Sequence, residues 1–195
     1  MVMADLWDAE WYDKEYHGDK MSPELWKPPG LLAHGDRDRA FYRQLGVGPG
    51  KRVLECGCGG CNGLWVLQEE FGCDRLTAFD FSRVAMEYCR HWMPRVTAWV
   101  GSAEHLESED GTFDIVVVKD FTEHLMLNAY FMFLREVCRV LAPRGVVGVL
   151  PGMTLRHEHI NILPPITVAH HLVQAGLEVT ELAREWVIAK KEDDA

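Results

Sequence analysis

The chain has 195 residues, a formal net charge of −10 and a sequence pI of about 5.3. This length suits one domain with a full core and is too short for a second catalytic lobe. The acidic balance disfavours a long nucleic-acid footprint, and no apolar run of about 18 residues or secretory leader is visible, so we expect a cytoplasmic protein without a membrane span.

The first part of the chain is dense in aromatic side chains, namely Trp7, Trp11, Tyr12, Tyr16 and Trp26. The spacing of the first of them places Trp7 and Trp11 on one face of a short helix. A second helix is predicted from Leu31 to Leu45, ending before Gly46. An aromatic face of this kind usually packs onto a core.

Residues 53–63 carry the sequence Val-Leu-Glu-Cys-Gly-Cys-Gly-Gly-Cys-Asn-Gly. Apolar residues, an acid, clustered glycines and a new apolar helical pattern predict a strand, a tight turn and a helix start. Glycines in such a turn let the backbone approach a nucleotide-like ligand. The dinucleotide pattern GxGxxG fails because position 62 is Asn, so a nicotinamide dehydrogenase is disfavoured.

This stretch resembles motif I of the class I S-adenosylmethionine-dependent methyltransferases, (V/L)(L/I)(D/E)xGxGxG. Glu55, Gly57 and Gly59 match the motif, and Cys61 replaces its third glycine. The resemblance, closest to the methyltransferase type 11 or ubiquinone-biosynthesis-like family, implies S-adenosylmethionine as cofactor and S-adenosylhomocysteine as product. It also implies that Glu55, Gly57, Cys58 and Gly59 contact the cofactor.

Cys56, Cys58 and Cys61 could also form a CxCxxC metal or arsenic site. Structural zinc requires four ligands, and no second cysteine pair is spaced to complete the set. Reduced thiols that fill space beside the turn are the favoured interpretation of these residues and of the other three cysteines.

A second strand is predicted over residues 75–80 and ends at Asp80. About 25 residues after the first strand's acid, such a carboxylate can accept hydrogen bonds from both ribose hydroxyls of an adenosine. Asp80-Phe81-Ser82 resembles the family's second motif, which implies a cofactor role for Asp80 and Phe81, and Ser82 is a helix-cap candidate. A solvated aspartate at a strand end is the alternative.

A third strand is predicted over residues 95–100, followed by Ser102 and Ala103. In the family this corner usually carries an aspartate that meets the adenine amine. Ser102 stands in that place, so the resemblance implies adenine contacts from its hydroxyl or from the backbone around Ala103.

Phe113 to Val118 is an almost continuous apolar run, which predicts a central strand buried on both faces. It ends at Lys119 and is followed by Asp120, Glu123 and His124, then by a helix and the turn 142–145. This passage resembles the family segment FDxVxxxxxxEHL…LxExxRVLxPGG over roughly thirty residues, and Lys119 is implied to lie near the cofactor.

A fifth strand is predicted over residues 146–150, an aperiodic loop over 151–165, a helix over 167–175 and two closing strands over 177–182 and 185–189. The resemblance implies a Rossmann-like α/β class I methyltransferase fold. Its seven-stranded, mostly parallel sheet has the order 3-2-1-4-5-7-6, with helices on both faces and the last strand antiparallel. We expect residues 1–45 to form an amino-terminal helical lid over the substrate and residues 46–195 to form the cofactor-binding core.

Methyl transfer from a sulfonium is an in-line displacement that needs alignment, exclusion of water and sometimes removal of a proton. His124, His159 and Asp120 are the candidate catalytic residues, because imidazoles titrate near neutrality. His124 could instead only orient the following helix. His157, Glu158 and His159 could be a metal site, a substrate-contacting loop or a packed loop, and no metal is predicted.

The candidate acceptor-binding residues are Trp11, Tyr12, Tyr16, Trp26 and His157. They favour a small, partly apolar acceptor with an O, N, S or C nucleophile. The proline-containing tetrapeptide of nucleic-acid methyltransferases does not follow the fourth strand, so no nucleic acid is expected. A protein side chain as acceptor, or an inert cofactor-binding partner subunit, stays open. We expect a monomer or a homodimer.

Overall fold

The computed structural model describes residues 35–156 and 158–193, together with Glu10, Asp13, Lys14 and Pro29 of the preceding segment. Its helices are α1 Asp36–Leu45, α2 Asn62–Glu69, α3 Arg83–Trp92, α4 Leu127–Val140 and α5 Pro165–Gln174. Its strands are β1 Arg52–Cys56, β2 Arg75–Asp80, β3 Thr97–Val100, β4 Phe113–Lys119, β5 Leu141–Leu150, β6 Leu177–Leu182 and β7 Val187–Lys191. A 3-10 turn, Thr122–His124, follows β4.

The strands of the described residues form one sheet in the order β3-β2-β1-β4-β5-β7-β6. Neighbours among β1 to β5 pair in parallel, whereas β7 lies antiparallel between β5 and β6. The predicted strand order and the predicted direction of the last strand are confirmed.

The central strands are buried on both faces because consecutive side chains point to opposite sides of the sheet. Leu54 and Val116 join an apolar cluster that includes side chains of α4 and α5. Val53 and Val117 join a second cluster that includes side chains of α1, α2 and α3. The continuous apolar run of β4 is therefore explained by two cores, one on each side of the sheet.

Some predicted boundaries are wrong. A helix continuous from Leu31 is excluded because Gly35 is extended (φ −65°, ψ 164°) and α1 begins at Asp36. The third strand begins at Thr97, because the amide of Val96 closes a turn onto Met93 at 2.9 Å. The final helix begins at Pro165, a residue whose fixed φ suits the first helical turn.

The predicted turn at residues 142–145 lies inside β5. Phe113 pairs with Leu141 and Ile115 pairs with Val146, so β5 carries extra residues that bulge out of the ladder. Arg144 has φ 63° at this bulge, an unusual conformation for a residue other than glycine. Turn geometry and strand pairing thus coexist in this segment.

No helix in the described ranges is both long and apolar enough to cross a membrane.

Candidate functional site

The described site residues lie at the carboxyl ends of β1, β2 and β4 or on the segments that follow β1 to β4, and His159 lies on the segment after β5. Because these five strands are parallel, their carboxyl ends meet at the same edge of the sheet. In open α/β sheets this edge is where ligands bind.

The glycine turn after β1 is fixed to the end of β2 by backbone hydrogen bonds. The amides of Gly57 and Cys58 both donate to the carbonyl oxygen of Phe79, at 2.9 and 3.3 Å. Gly57 (φ 65°) and Gly59 (φ 47°) are both left-handed, which favours glycine. A Cβ at Gly57 would lie 2.2 Å from Cδ2 of Phe121, whereas a Cβ at Gly59 would meet nothing within 4 Å. Gly57 is therefore required for packing, and Gly59 faces space that a ligand can enter.

Asp80 organises the other side of this turn. Its Oδ2 accepts a hydrogen bond from the Gly59 amide at 2.9 Å, and its Oδ1 accepts one from the Ser82 amide at 3.0 Å. Burial raises the pKa of Asp80, and these amides partly counteract that shift. The Phe81 amide also hydrogen-bonds to this carboxylate, so three amides hold it and some acceptor capacity is left for a ligand hydroxyl. Asp80 is therefore buried and partnered, unlike a solvated aspartate at a strand end.

Ser82 links the site to the amino-terminal segment. Its hydroxyl accepts a hydrogen bond from the Ala85 amide at 3.0 Å, which confirms it as the cap of α3. The same hydroxyl donates to the carboxylate of Asp13. Asp13, which precedes α1 in the chain, therefore lies beside the residues next to Asp80.

The corner after β3 is held by local contacts. The Gly101 amide donates to the Asp80 carbonyl oxygen at 3.0 Å, and the Ser102 hydroxyl accepts from the Glu104 amide at 3.2 Å. Ala103 is buried against the core, while Ser102 is exposed. Trp99, which the sequence did not single out, stacks on Phe79 at 5.8 Å.

Cys58 is buried, so its side chain fills space behind the turn and leaves only its backbone for a ligand. Two carboxylates lie near the Lys119 ammonium: Asp38 Oδ2 is 3.5 Å away and Asp120 Oδ2 is 3.2 Å away. Lys119 is thus engaged in ion pairs behind the edge of the sheet. The Asp38 contact depends on how α1 packs, so local sequence carried no signal for it.

Glu55 is fully enclosed near this ion-pair group. Burial raises the pKa of its carboxyl from 4.5 to about 8, partly offset by the positive charge of Lys119 and by the Leu64 amide. A Cβ at Gly63 would lie 1.9 Å from Glu55 Oε1 and 2.9 Å from the hydroxyl of Tyr42. Glu55 therefore sits behind the turn, against the start of α2.

The two candidate histidines lie together at the edge of the sheet. The rings of His124 and His159 are 4.8 Å apart at an interplanar angle of 89°. The amides of Ile160 and Asn161 donate to the Glu123 carbonyl oxygen at 2.8 and 3.0 Å, which ties the loop after β5 to the 3-10 turn after β4. Asp120, the third candidate, instead pairs with Lys119 and lies 3.8 Å from the Arg37 guanidinium.

Glu123 completes a group of three side chains, which we call the carboxylate–histidine cluster: Glu123, His124 and His159. One donor atom of each lies within 4.8 Å of the others. Burial, and then the nearby His159, lowers the pKa of His124 from 6.5 to about 4. At neutral pH His124 is therefore uncharged and a weak base.

The three-thiol cluster in the structure differs from the CxCxxC grouping. Cys58, Cys61 and Cys89 lie with their sulfur atoms within 4.8 Å of one another. Cys56 is on the opposite side of the sheet, because it packs with the α4 and α5 cluster. All six cysteines are free thiols, in agreement with the expectation of reduced cysteines.

The acceptor-binding candidates Trp11, Tyr12, Tyr16, Trp26 and His157 lie outside the described residues, so their contacts stay predictions.

The chain is similar in sequence to known methyltransferases. A family profile described as "Methyltransferase domain" matches residues 53–145, just under half of the chain. The chain is similar to the probable phthiotriol/phenolphthiotriol dimycocerosates methyltransferase 2 of Mycobacterium ulcerans (strain Agy99). The identity is 37% over 98 residues, which covers 49% of this chain and 37% of that relative.

A second relative is the sterol 24-C-methyltransferase erg6 of Schizosaccharomyces pombe, 27% identical over 196 residues, covering 94% of this chain and 48% of the relative. The chain thus spans between about a third and about a half of the length of these two curated relatives. Among solved structures, that of the [4+2]-cyclase SpnF superposes with a TM-score of 0.72 at 15% identity and covers 95% of both chains. This last likeness concerns the fold.

Proposed function

We propose that the chain is a class I S-adenosylmethionine-dependent methyltransferase and that it transfers the methyl group of S-adenosylmethionine to a small-molecule acceptor with an apolar body. The profile match over residues 53–145 and the similar methyltransferases support this proposal. The observation that carries this proposal is the joint geometry of the glycine turn and Asp80. One carboxylate accepts the amide of Gly59 while Gly59 itself faces open space.

The residues present fit the cofactor. The backbone of Gly57, Cys58 and Gly59 would meet the methionine end, and Asp80 would accept hydrogen bonds from the ribose hydroxyls. Phe81, Ser102 and Ala103 would border the adenine, and Glu55 and Lys119 would support the turn from behind. S-adenosylmethionine supplies a methyl group on a sulfonium, whose leaving thioether needs no proton. The chain's own contribution is therefore alignment and exclusion of water.

The acceptor side of the proposal rests on exposed apolar residues. Segments that follow β4 and β5 expose large apolar side chains, with Leu127 55%, Met153 49% and Leu155 92% exposed. Exposed apolar side chains that form a contiguous patch mark binding surfaces on proteins. One relative is named for phthiotriol/phenolphthiotriol dimycocerosates and the other for a sterol, which agrees with an acceptor that has an apolar body.

The amino-terminal residues 1–45 act in this proposal as the cover of the acceptor. The contact between Asp13 and the Ser82 hydroxyl supports it, because it brings that segment next to Asp80. The candidate proton acceptors lie on the segments after β4 and β5 and are His124, His159 and Asp120. The net charge of −10 disfavours a nucleic-acid acceptor. We further propose that the protein acts in the cytoplasm as a monomer or a homodimer.

Calorimetric titration with S-adenosylmethionine and S-adenosylhomocysteine tests the proposal. We expect micromolar binding by the wild type and a loss of at least about tenfold in Asp80→Ala, because a charged hydrogen-bond acceptor contributes about 1.5–3 kcal/mol. Asp74→Ala is the matched control. Asp74 also accepts a backbone amide, that of Gly50 at 2.7 Å, but precedes β2 at the opposite edge of the sheet.

Absence of binding to either compound by the folded wild type would sink the proposal. Binding without methyl transfer to any apolar hydroxyl, amine or carboxylate acceptor would instead indicate a cofactor-binding partner subunit. Transfer to a protein substrate alone would replace the small-molecule acceptor with a side chain.

A further inference from the structure

The carboxylate–histidine cluster has the donor set of a transition-metal site. It offers one carboxylate and two imidazoles from two different segments, the 3-10 turn after β4 and the loop after β5. Two histidines with one carboxylate are a common donor set for Zn²⁺ and for non-haem Fe²⁺, whereas Mg²⁺ and Ca²⁺ prefer oxygen ligands alone.

Glu123 has no adequate partner for its charge. Its side chain is 1% exposed, and its carboxylate oxygens approach the backbone amides of Glu123 and Gly152 without a hydrogen bond of regular geometry. Within the described part of the chain it forms no ion pair with a lysine or an arginine; His124 Nε2 lies 4.0 Å from its Oε1. An isolated buried carboxylate is unfavourable unless it is paired or bound to a metal.

Gly152 shows that this position of Glu123 is built into the fold. A Cβ at Gly152 would lie 1.8 Å from Glu123 Oε1, so the loop after β5 leaves room for the carboxylate. A carboxylate held in place on one side and unpaired on the other is directed toward the two imidazoles.

Both histidines are oriented by backbone contacts. His159 Nδ1 lies 2.7 Å from the carbonyl oxygen of Thr154, and the ring of His124 hydrogen-bonds to the backbone of Glu158. Metal-binding histidines almost always use their second ring nitrogen in this way, because the bond fixes the ring orientation and the tautomer. His124 Nε2 faces Glu123 Oε1 at 4.0 Å, and a ring nitrogen of His159 lies within 4.8 Å of both donors.

We propose that Glu123, His124 and His159 bind one divalent transition-metal ion. Metal bonds of about 2.0–2.2 Å place neighbouring donors roughly 3.0–3.5 Å apart, so atoms now within 4.8 Å must close by about an ångström. His159 lies on an irregular segment between β5 and α5, which allows that movement. Three protein ligands leave a position open for water or for an oxygen of the acceptor.

The role of this ion in methyl transfer rests on the proposed function, although metal binding itself does not. At this edge of the sheet the ion would hold an acceptor oxygen opposite the methyl donor. Metal ligation uses the imidazole lone pairs that a proton acceptor would need. In this proposal His124 and His159 therefore act as metal ligands and not as general bases.

Titration of chelator-treated, full-length protein with Co²⁺ tests the inference, because cobalt reports its ligands through visible absorption. We expect one equivalent to bind with the spectrum of nitrogen and oxygen ligands. Loss of a neighbouring hydrogen bond alone weakens metal sites about 10–100-fold, so we expect Glu123→Gln and His159→Gln each to weaken binding about a hundredfold or more.

Two control variants define the site. His170→Gln removes an exposed histidine of α5, and Cys89→Ser removes one member of the three-thiol cluster. Both are expected to bind Co²⁺ as the wild type does. Circular dichroism verifies the fold of each variant, and His159→Gln, on the loop, keeps the test decisive if Glu123→Gln fails to fold.

The inference is overturned if the folded wild type binds no stoichiometric Co²⁺, if neither ligand variant weakens binding, or if a thiolate-to-cobalt band appears that Cys89→Ser removes. Its fate is separable from that of the proposed function. Cobalt at the cluster without S-adenosylmethionine binding would leave the metal site standing alone. Cofactor binding and undiminished transfer by chelated protein, with no cobalt at the cluster, would leave methyl transfer standing alone.

Discussion

The pKa of the Glu55 carboxyl changes strongly when the chain folds. Its pKa rises from 4.5 to about 8 because burial disfavours the carboxylate. Below pH 4.5 the group is protonated in both states, so its burial costs no charge. As the pH rises toward 8, the unfolded chain ionises first, and the free energy of unfolding falls.

Glu55→Gln is therefore expected to be more stable than the wild type at pH 8, by on the order of 4 kcal/mol, and close to it near pH 4.5. The glutamine keeps an oxygen for the Leu64 amide but carries no charge. Urea denaturation of both proteins across this pH range measures the difference. Parallel profiles for the two proteins would contradict the assigned shift.

Residue identity was predictable wherever function imposes a local motif. The sequence placed Gly57 and Gly59 in a turn after the first strand and Asp80 at the end of the second, and the structure joins them through the Gly59 amide. It did not place Cys89 beside Cys58 and Cys61, since α3 brings it there through tertiary packing. The unpaired state of Glu123 was equally invisible, because burial of its oxygens depends on Gly152.

At the scale of elements, the β1–turn–α2 unit holds two glycines with the same handedness and different surroundings. A side chain at Gly57 collides with the ring of Phe121, which itself packs edge-on against Phe79 and Phe133. A side chain at Gly59 meets no protein atom within 4 Å. The first glycine serves packing and the second serves access.

Gly57→Ala is expected to lose about 2–5 kcal/mol of stability, the sum of a left-handed backbone penalty and overpacking against Phe121. Gly59→Ala is expected to lose only about 1–2 kcal/mol and to weaken S-adenosylmethionine binding at least about tenfold. Thermal unfolding and calorimetry of the two variants separate the effects. Equal stability losses, or unchanged affinity in Gly59→Ala, would contradict these roles.

Element boundaries were harder to predict than the elements themselves. Apolar runs located all seven strands of the described residues, yet β5 extends back through a bulge that resembles a turn in sequence. The backbone of Gly35 is extended, so α1 begins after it, although the apolar pattern in the sequence continues into the residues before Gly35. These limits arise because strand pairing and caps override local periodicity.

At the scale of the whole molecule, the sheet gathers cofactor and acceptor residues on one edge, and Asp13 connects that edge to the amino-terminal segment. The apolar runs indicated buried parallel strands. The strand order was implied by the resemblance to class I methyltransferases and not by the runs themselves. The predicted division at residue 45 is instead a functional hypothesis, since α1 packs in the same core as α2 and α3.

Removal of residues 1–34 is expected to preserve the fold and S-adenosylmethionine binding within about tenfold, because α1 and all seven described strands remain. Methyl transfer is expected to fall at least about a hundredfold if this segment covers the acceptor. Asp13→Ala in the full-length chain isolates the Ser82 contact from the rest of the segment. Undiminished turnover by the truncated chain would exclude the covering role.

The glycine turn is hydrogen-bonded to β2 through the amides of Gly57, Cys58 and Gly59. The conformational entropy of ordering this loop, about 1–2 kcal/mol per residue, is therefore lost when the chain folds, before any ligand arrives. A ligand that binds here then needs little further ordering of the loop, so little binding free energy is lost to ordering and dissociation is slow. Deuterium should enter these three amides only when β1 and β2 separate, so the cofactor cradle opens with the sheet and not ahead of it.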